Sequence, residues 1–144
     1  MRGCVCVVED EAGIRDLLGA LCASHALPVR VYDSAEAFWG ECDPVDIRCL
    51  VLDIELPGMS GLDLLKKLKT AGVYLPVILM SGRADSEAVV EALKLGAVDF
   101  FAKPFDNHDL LRRIEDLIRR IDSRWPIGTI PASSLMDRCN SAMS

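Results

Sequence analysis

Two kinds of apolar pattern alternate along this chain. One is a short unbroken run with no polar face, which reads as a strand covered on both sides. The other recurs at helical spacing, which reads as a helix with one apolar stripe. Residues 4–8 are the first run and predict strand β1, which leads into Glu9-Asp10-Glu11. Helix α1 follows around 14–22, with Ile14, Leu17, Leu18, Leu21 and Cys22 on one face. Residues 28–31 predict a short β2. Asp33 or Ser34 can cap α2, around 35–39, which carries Ala35, Ala37, Phe38 and Trp39. Asp43-Pro44 breaks the chain, and the run 49–53, ending in Asp53, predicts β3. Pro57, Gly58 and Gly61 mark the next loop. Helix α3, around 62–68, uses Leu62, Leu65 and Leu68 and stops near Gly72. Residues 76–80 predict β4, which meets Ser81-Gly82. Asp85 or Ser86 can cap α4, around 88–93, with Ala88, Val89, Ala92 and Leu93 turned inward and Gly96 as its stop. Residues 97–101 predict β5, running into Lys103-Pro104-Phe105. Helix α5, around 110–121, has Leu110, Leu111, Ile114, Leu117, Ile118 and Ile121 on one face. Its other face is charged, from Arg112 to Arg120.

Strands and helices in strict alternation predict an α/β fold with helices on both faces of a parallel sheet. The expected form is a flavodoxin-like (βα)5 three-layer sandwich with strand order 2-1-3-4-5, β1 and β3 meeting at the switch point. After Ser123 the pattern fails. Residues 1–121 therefore read as one domain. Residues 122–144 read as an extended or disordered tail, too short and too weakly patterned for a helix-turn-helix output domain.

Composition narrows the function. The chain has 144 residues, 51% of them apolar, so it can bury a core as a single domain. Its net charge of -6 argues against direct nucleic-acid binding, which needs Lys and Arg against phosphates. No apolar run has the length of a membrane span, and the N-terminus lacks a signal-peptide pattern. The expectation is a cytoplasmic protein away from membranes. Cys4, Cys6, Cys22, Cys42, Cys49 and Cys139 lack zinc-ligand spacing, and most fall at strand or helix core positions. They read as small buried hydrophobes rather than disulfides.

The candidate chemistry lies at the strand ends, which a parallel sheet gathers along one edge. Glu9 and Asp10 follow β1, Asp53 ends β3, Ser81 follows β4 and Lys103 follows β5. Acids this close repel one another unless a cation offsets them. Mg²⁺ suits such oxygen ligands, with Mn²⁺ as the alternative ion. Asp53 can then act as the nucleophile toward a phosphoryl group, with Lys103 and Ser81 placed to meet its oxygens. Each residue also has a plainer reading. Asp10 could cap α1, Asp53 and Ser81 could shape turns, Lys103 could be solvated and Phe100 could be core packing. His25 and His108 have no evident partners in the sequence.

Taken together, Val7-Val8-Glu9-Asp10-Glu11, the stretch from Leu52 to Gly61, Met80-Ser81-Gly82 and Gly96 to Phe105 resemble a response-regulator receiver domain of two-component signalling. The wording of the last segment, and of Tyr32 to Phe38, is most similar to the FixJ-like branch of transcriptional regulators. The resemblance implies that Asp53 takes a phosphoryl group from the phosphohistidine of a sensor histidine kinase. It implies Mg²⁺ bound by Asp10, Asp53 and the backbone carbonyl of Glu55, with Glu9 acting through metal-bound water. It implies that Lys103 contacts the phosphoryl group, that Pro104 follows a cis peptide bond, and that Ser81 and Phe100 move inward on phosphorylation. The side chains of Glu55 and Arg83 are expected to tune phosphate loss. The α4–β5–α5 face is expected to form a homodimer when Asp53 is phosphorylated. On this reading the chain is not a turnover enzyme on external substrates. It is the receiver part of a DNA-binding regulator or, alternatively, a stand-alone receiver acting through protein partners. A pseudo-receiver that never takes phosphate is the further alternative. A phosphatase of the haloacid dehalogenase type is disfavoured because Glu55 stands where a second Asp is needed and no cap insertion is present.

Overall fold

The apolar runs become one parallel sheet in the computed structural model, which describes residues 3–83 and 86–124. Its strands are β1 (Cys4–Val8), β2 (Val29–Tyr32), β3 (Ile47–Asp53), β4 (Val77–Ser81) and β5 (Asp99–Ala102). They lie in the order β2-β1-β3-β4-β5, the predicted one, with every adjacent pair parallel. The helices are α1 (Ala12–Ser24), α2 (Ala35–Glu41), α3 (Gly61–Thr70), α4 (Glu87–Lys94) and α5 (Asn107–Arg124). Asp43-Pro44 breaks the chain as a single 3₁₀ turn, Pro44–Asp46. Helix α5 continues to Arg124, past the domain end expected at residue 121. Residues 125–144, including Cys139, lie outside the described residues. Among the described residues, no helix is long and apolar enough to cross a membrane.

Serines start the helices on one side of the sheet. Ser34, Ser60 and Ser86 each accept a hydrogen bond from the backbone N–H three residues on, at Ala37, Asp63 and Val89. Each satisfies a donor that the first helical turn leaves without a partner. Ser60 and Asp63 complete a reciprocal capping box. Ser34 is thus the cap of α2, not Asp33, and Ser86 caps α4, while Asp85 lies outside the described residues. Asp10 does not cap α1; Glu11 holds that position without a side-chain bond. Gly96, at φ +109°, ends the turn after α4 in a conformation that favours glycine.

Side chains alternate across the sheet and separate the core into two layers. Cys4, Cys6, Val8, Leu50, Leu52, Val77 and Leu79 face α2, α3 and α4. Val5, Val7, Cys49, Val51, Ile78 and Met80 face α1 and α5. Phe38 is fully buried in the first layer and meets Tyr32 edge to face, with ring centroids 5.4 Å apart. Cys4, Cys6, Cys22 and Cys49 are buried, Cys42 is half-buried, and all are free thiols.

Two inward assignments are corrected. Leu17 is 49% exposed and Leu93 is 41% exposed, while Leu18, Cys22, Val89 and Ala92 take the buried positions. On both helices the apolar arc is wider than the strip that meets the sheet. On α3 the buried leucines are Leu64, Leu65 and Leu68, and Leu62 sits at the rim. Strands β2, β4 and β5 also run later than predicted, to Tyr32, Ser81 and Ala102.

Candidate functional site

Parallel registration builds the site. Val8 pairs with Leu52 and Asp53 with Met80, so the residues that follow β1 and end β3 emerge side by side. Ser81 pairs with Ala102, and the Lys103 N–H donates to the Ser81 carbonyl at 2.8 Å. That bond fixes the Lys103 backbone beside the end of β4. The Lys103–Pro104 peptide is cis.

Lys103 Nζ donates to Glu9 Oε1 at 2.7 Å and to Asp53 Oδ2 at 2.9 Å. The acids are 0% and 2% exposed, so this ion-pair bridge is largely dry. Glu9 Oε2 accepts from the Glu11 N–H at 3.2 Å, and Asp53 Oδ1 accepts from the Glu55 N–H at 3.0 Å. Arg15 Nη1 donates to the carbonyls of Glu9, at 2.9 Å, and Asp10, at 3.3 Å. It fastens the acidic corner to the first turns of α1. Behind β3 the backbone is equally close: a Cβ on Gly61 would lie 2.3 Å from the Asp53 carbonyl oxygen. Only glycine fits there.

The charges compete. Burial, hydrogen bonding to Glu9 and the Glu9 charge outweigh Lys103 and raise the Asp53 carboxyl to about 7. Burial pushes Glu9 the same way, but hydrogen bonds with Asp53, Lys103 and Glu11 prevail and hold it below the usual carboxylate range. Burial pulls Lys103 down, yet its two carboxylate partners raise it overall. The corner therefore sets two buried acids against each other, with one ammonium shared between them.

Glu9, Asp10 and Asp53 each offer a carboxylate oxygen, and these lie within 4.8 Å of one another. Hard oxygen donors so close, two of them buried and one with a raised pKa, fit a small divalent cation. Asp10 is exposed, which leaves that side open to water ligands.

The structure brings Asp53, Lys103, Glu9 and Asp10 together. It places Ser81 in a second cluster. Ser81 Oγ donates to Glu55 Oε2 at 2.5 Å and accepts from the Arg83 N–H at 2.9 Å. The Gly82 N–H donates to Glu55 Oε1 at 2.8 Å. The Arg83 residue is exposed. Phe100 is partly buried and packs on the layer that holds Val89 and Ala92. Arg15 and Glu36, whose Oε2 accepts from the Met59 N–H at 3.1 Å, have no counterpart among the residues singled out from the sequence. A side chain that serves a distant backbone group leaves no periodic trace in the sequence.

Comparison with known proteins adds the context for this corner. Residues 5–115 match the family described as the response regulator receiver domain. The transcriptional regulatory protein FixJ of Bradyrhizobium diazoefficiens is 38% identical over 84% of this chain and 59% of its own length. FixJ of Azorhizobium caulinodans is 40% identical over 79% of this chain and 54% of its own. The chain thus spans little more than half the length of these curated relatives. Among solved structures, the response regulator StyR superposes with a TM-score of 0.80 at 31% identity, covering 96% of this chain and 67% of that one. Full-length FixJ from B. japonicum gives 0.74 at 38% identity, covering 83% and 59%. With its strand order, its acidic edge and a family match across most of its length, the chain belongs to the response-regulator receiver family.

Proposed function

We propose that this domain is a phosphorylation-controlled signalling switch whose phosphoacceptor is Asp53. The observation that carries the reading is the placement of Asp53: buried, at the end of a central strand, and bonded to Lys103. An oxygen of Asp53 attacks the phosphorus of a phosphohistidine on a sensor histidine kinase. The P–N bond breaks, its electron pair stays on the imidazole nitrogen, and an acyl phosphate forms. Asp10, Asp53 and the Glu55 carbonyl, with Glu9 through metal-bound water, are the residues that would hold Mg²⁺, or Mn²⁺ in its place. The ion supplies positive charge against the phosphoryl oxygens. Lys103 moves from carboxylate to phosphoryl oxygen, and Ser81 donates its hydroxyl to another.

Ser81 continues the alternation of Val77 and Leu79, so it shares a layer with Phe100 and α4. Their rearrangement on phosphorylation biases the packing of α4 against β5. Val90, Leu93 and Val98 are exposed apolar side chains on and beside that face, which supports a homodimer contact there. The similarity to FixJ supports an output in transcription, exerted through DNA binding elsewhere in the regulator or through a protein partner.

Intact-mass spectrometry after incubation with Mg²⁺ and acetyl phosphate tests the chemistry. One added phosphoryl group is expected, lost in Asp53→Ala and in EDTA. No added mass, together with no binding of fluoroberyllate, would make the domain a pseudo-receiver.

A further inference from the structure

Both hydrogen-bond donors at the end of β4 are already in use. Ser81 Oγ gives its proton to Glu55 Oε2 at 2.5 Å, and the Gly82 N–H points to Glu55 Oε1 at 2.8 Å. The first contact is short, and it joins the hydroxyl directly to the carboxylate. Ser81 is wholly buried, so water offers little competition. A serine hydroxyl has one proton to donate. While Glu55 holds that proton, Ser81 cannot present it to any group on Asp53.

We infer that the Glu55 carboxylate is a resident anion that occupies the phosphoryl group's donors in the resting domain. It must leave Ser81 and Gly82 before a phosphoryl oxygen can use them. The inference rests on the phosphoacceptor reading above and adds a competitor to it. The geometry makes the exchange feasible. The Glu55 N–H is tied to Asp53 Oδ1 at 3.0 Å, so the backbone stays and the side chain is the moving part. Glu55 is exposed, so its carboxylate can swing into water without burying charge. The resident carboxylate thus lowers the affinity for a phosphoryl group and stands ready to retake the donors as phosphate leaves. Glu55 acts here through Ser81 and Gly82, as a positioning residue.

The test measures fluoroberyllate binding in Mg²⁺ by wild type, Glu55→Ala, Glu55→Gln, Ser81→Ala and the Glu55→Ala/Ser81→Ala double variant. It also follows the Gly82 amide by NMR without metal or mimic. Two hydrogen bonds to a charged acceptor are lost in Glu55→Ala, so it is expected to bind about tenfold to a hundredfold more tightly. Glu55→Gln, which keeps an acceptor for Ser81 but no charge, falls between the two. The gain from Glu55→Ala shrinks when Ser81 is already alanine. In the resting protein the Gly82 amide moves upfield and exchanges faster in Glu55→Ala. Equal gains in Ala and Gln variants, undiminished in the Ser81→Ala background, would reduce Glu55 to simple charge repulsion and overturn the inference. So would an unmoved Gly82 amide with no gain in affinity. Wild type that neither binds fluoroberyllate nor takes phosphate would remove the phosphoacceptor reading, and this inference with it.

Discussion

Replacing Asp53 with Asn is expected to stabilise the metal-free domain. Asp53 is almost wholly buried, and burial with Glu9 raises its carboxyl from 3.8 to about 7. That difference is about 3 pH units, each worth about 1.36 kcal/mol, so keeping Asp53 ionised costs the fold on the order of 4 kcal/mol. Asn carries no charge and keeps an oxygen for the Glu55 N–H. The pull of Lys103 is already contained in that raised value, and Glu9 still pairs with the ammonium. The gain is therefore on the order of 4 kcal/mol, or roughly 10–20 °C in Tm for a domain of this size. The sign has a pH window. A raised carboxyl penalises folding only after the unfolded chain has lost its proton, so the penalty is absent below 3.8, grows up to about 7 and is constant above. Calorimetric melts of wild type and Asp53→Asn in EDTA should therefore differ fully near pH 8 and converge near about pH 4. Mg²⁺ should narrow the gap by giving ionised Asp53 a counter-charge. An Asn variant that melts at or below wild type near about pH 8 in EDTA would refute the reasoning, as would a gain independent of pH.

Other perturbations bear on the same corner and the core. Lys103→Met leaves Glu9 and Asp53 facing each other without an ammonium; urea unfolding in EDTA should show a loss of about 2–4 kcal/mol, moderated because Asp53 takes up a proton. Asp10→Asn should weaken Mg²⁺ binding at least tenfold by calorimetric titration, on the order of one carboxylate ligand, while leaving the fold intact. Gly61→Ala drives a Cβ into the Asp53 carbonyl and the Ile54 Cα, and should cost about 1–3 kcal/mol in thermal or chemical melts. Burial raises Cys22 from 9.0 to about 11 and Cys49 to about 12, so both thiols should resist iodoacetamide in the native state and react on unfolding. The same shifts remove stability as pH rises from 9.0 toward about 11–12, because the unfolded thiols ionise first.

The strand ends were legible because the chain changes period there. An apolar run that stops in Glu9, Asp53 or Ser81 announces both a buried strand and the edge it reaches. The helix faces were less legible. Leu17 and Leu93 are as apolar as their buried neighbours, and only the width of the contact with the sheet decides which leucine is covered. Glu55 shows the deeper limit. Its position near Asp53 was readable, but the choice of Ser81 and Gly82 as its partners depends on how closely β3 and β4 are registered. Arg15 and Glu36 serve backbone groups across a turn or between elements, and residue type alone carries no address for such a bond.

The division of the core by the sheet has a consequence for how such a domain can change over time. Asp53 continues the alternation of Cys49 and Val51, which face α1 and α5, whereas Ser81 and Phe100 belong to the layer under α2, α3 and α4. The two interiors share strands but form separate clusters. A substitution under α4 need not be matched by one under α1, because well-separated sites add rather than couple. The surface around Val90 and Leu93 can thus be rewritten for a new reader while the acids keep their geometry. The acids and the surface over α4 are inherited on opposite sides of one wall, and Ser81 at its edge is where a change on one side must answer to the other.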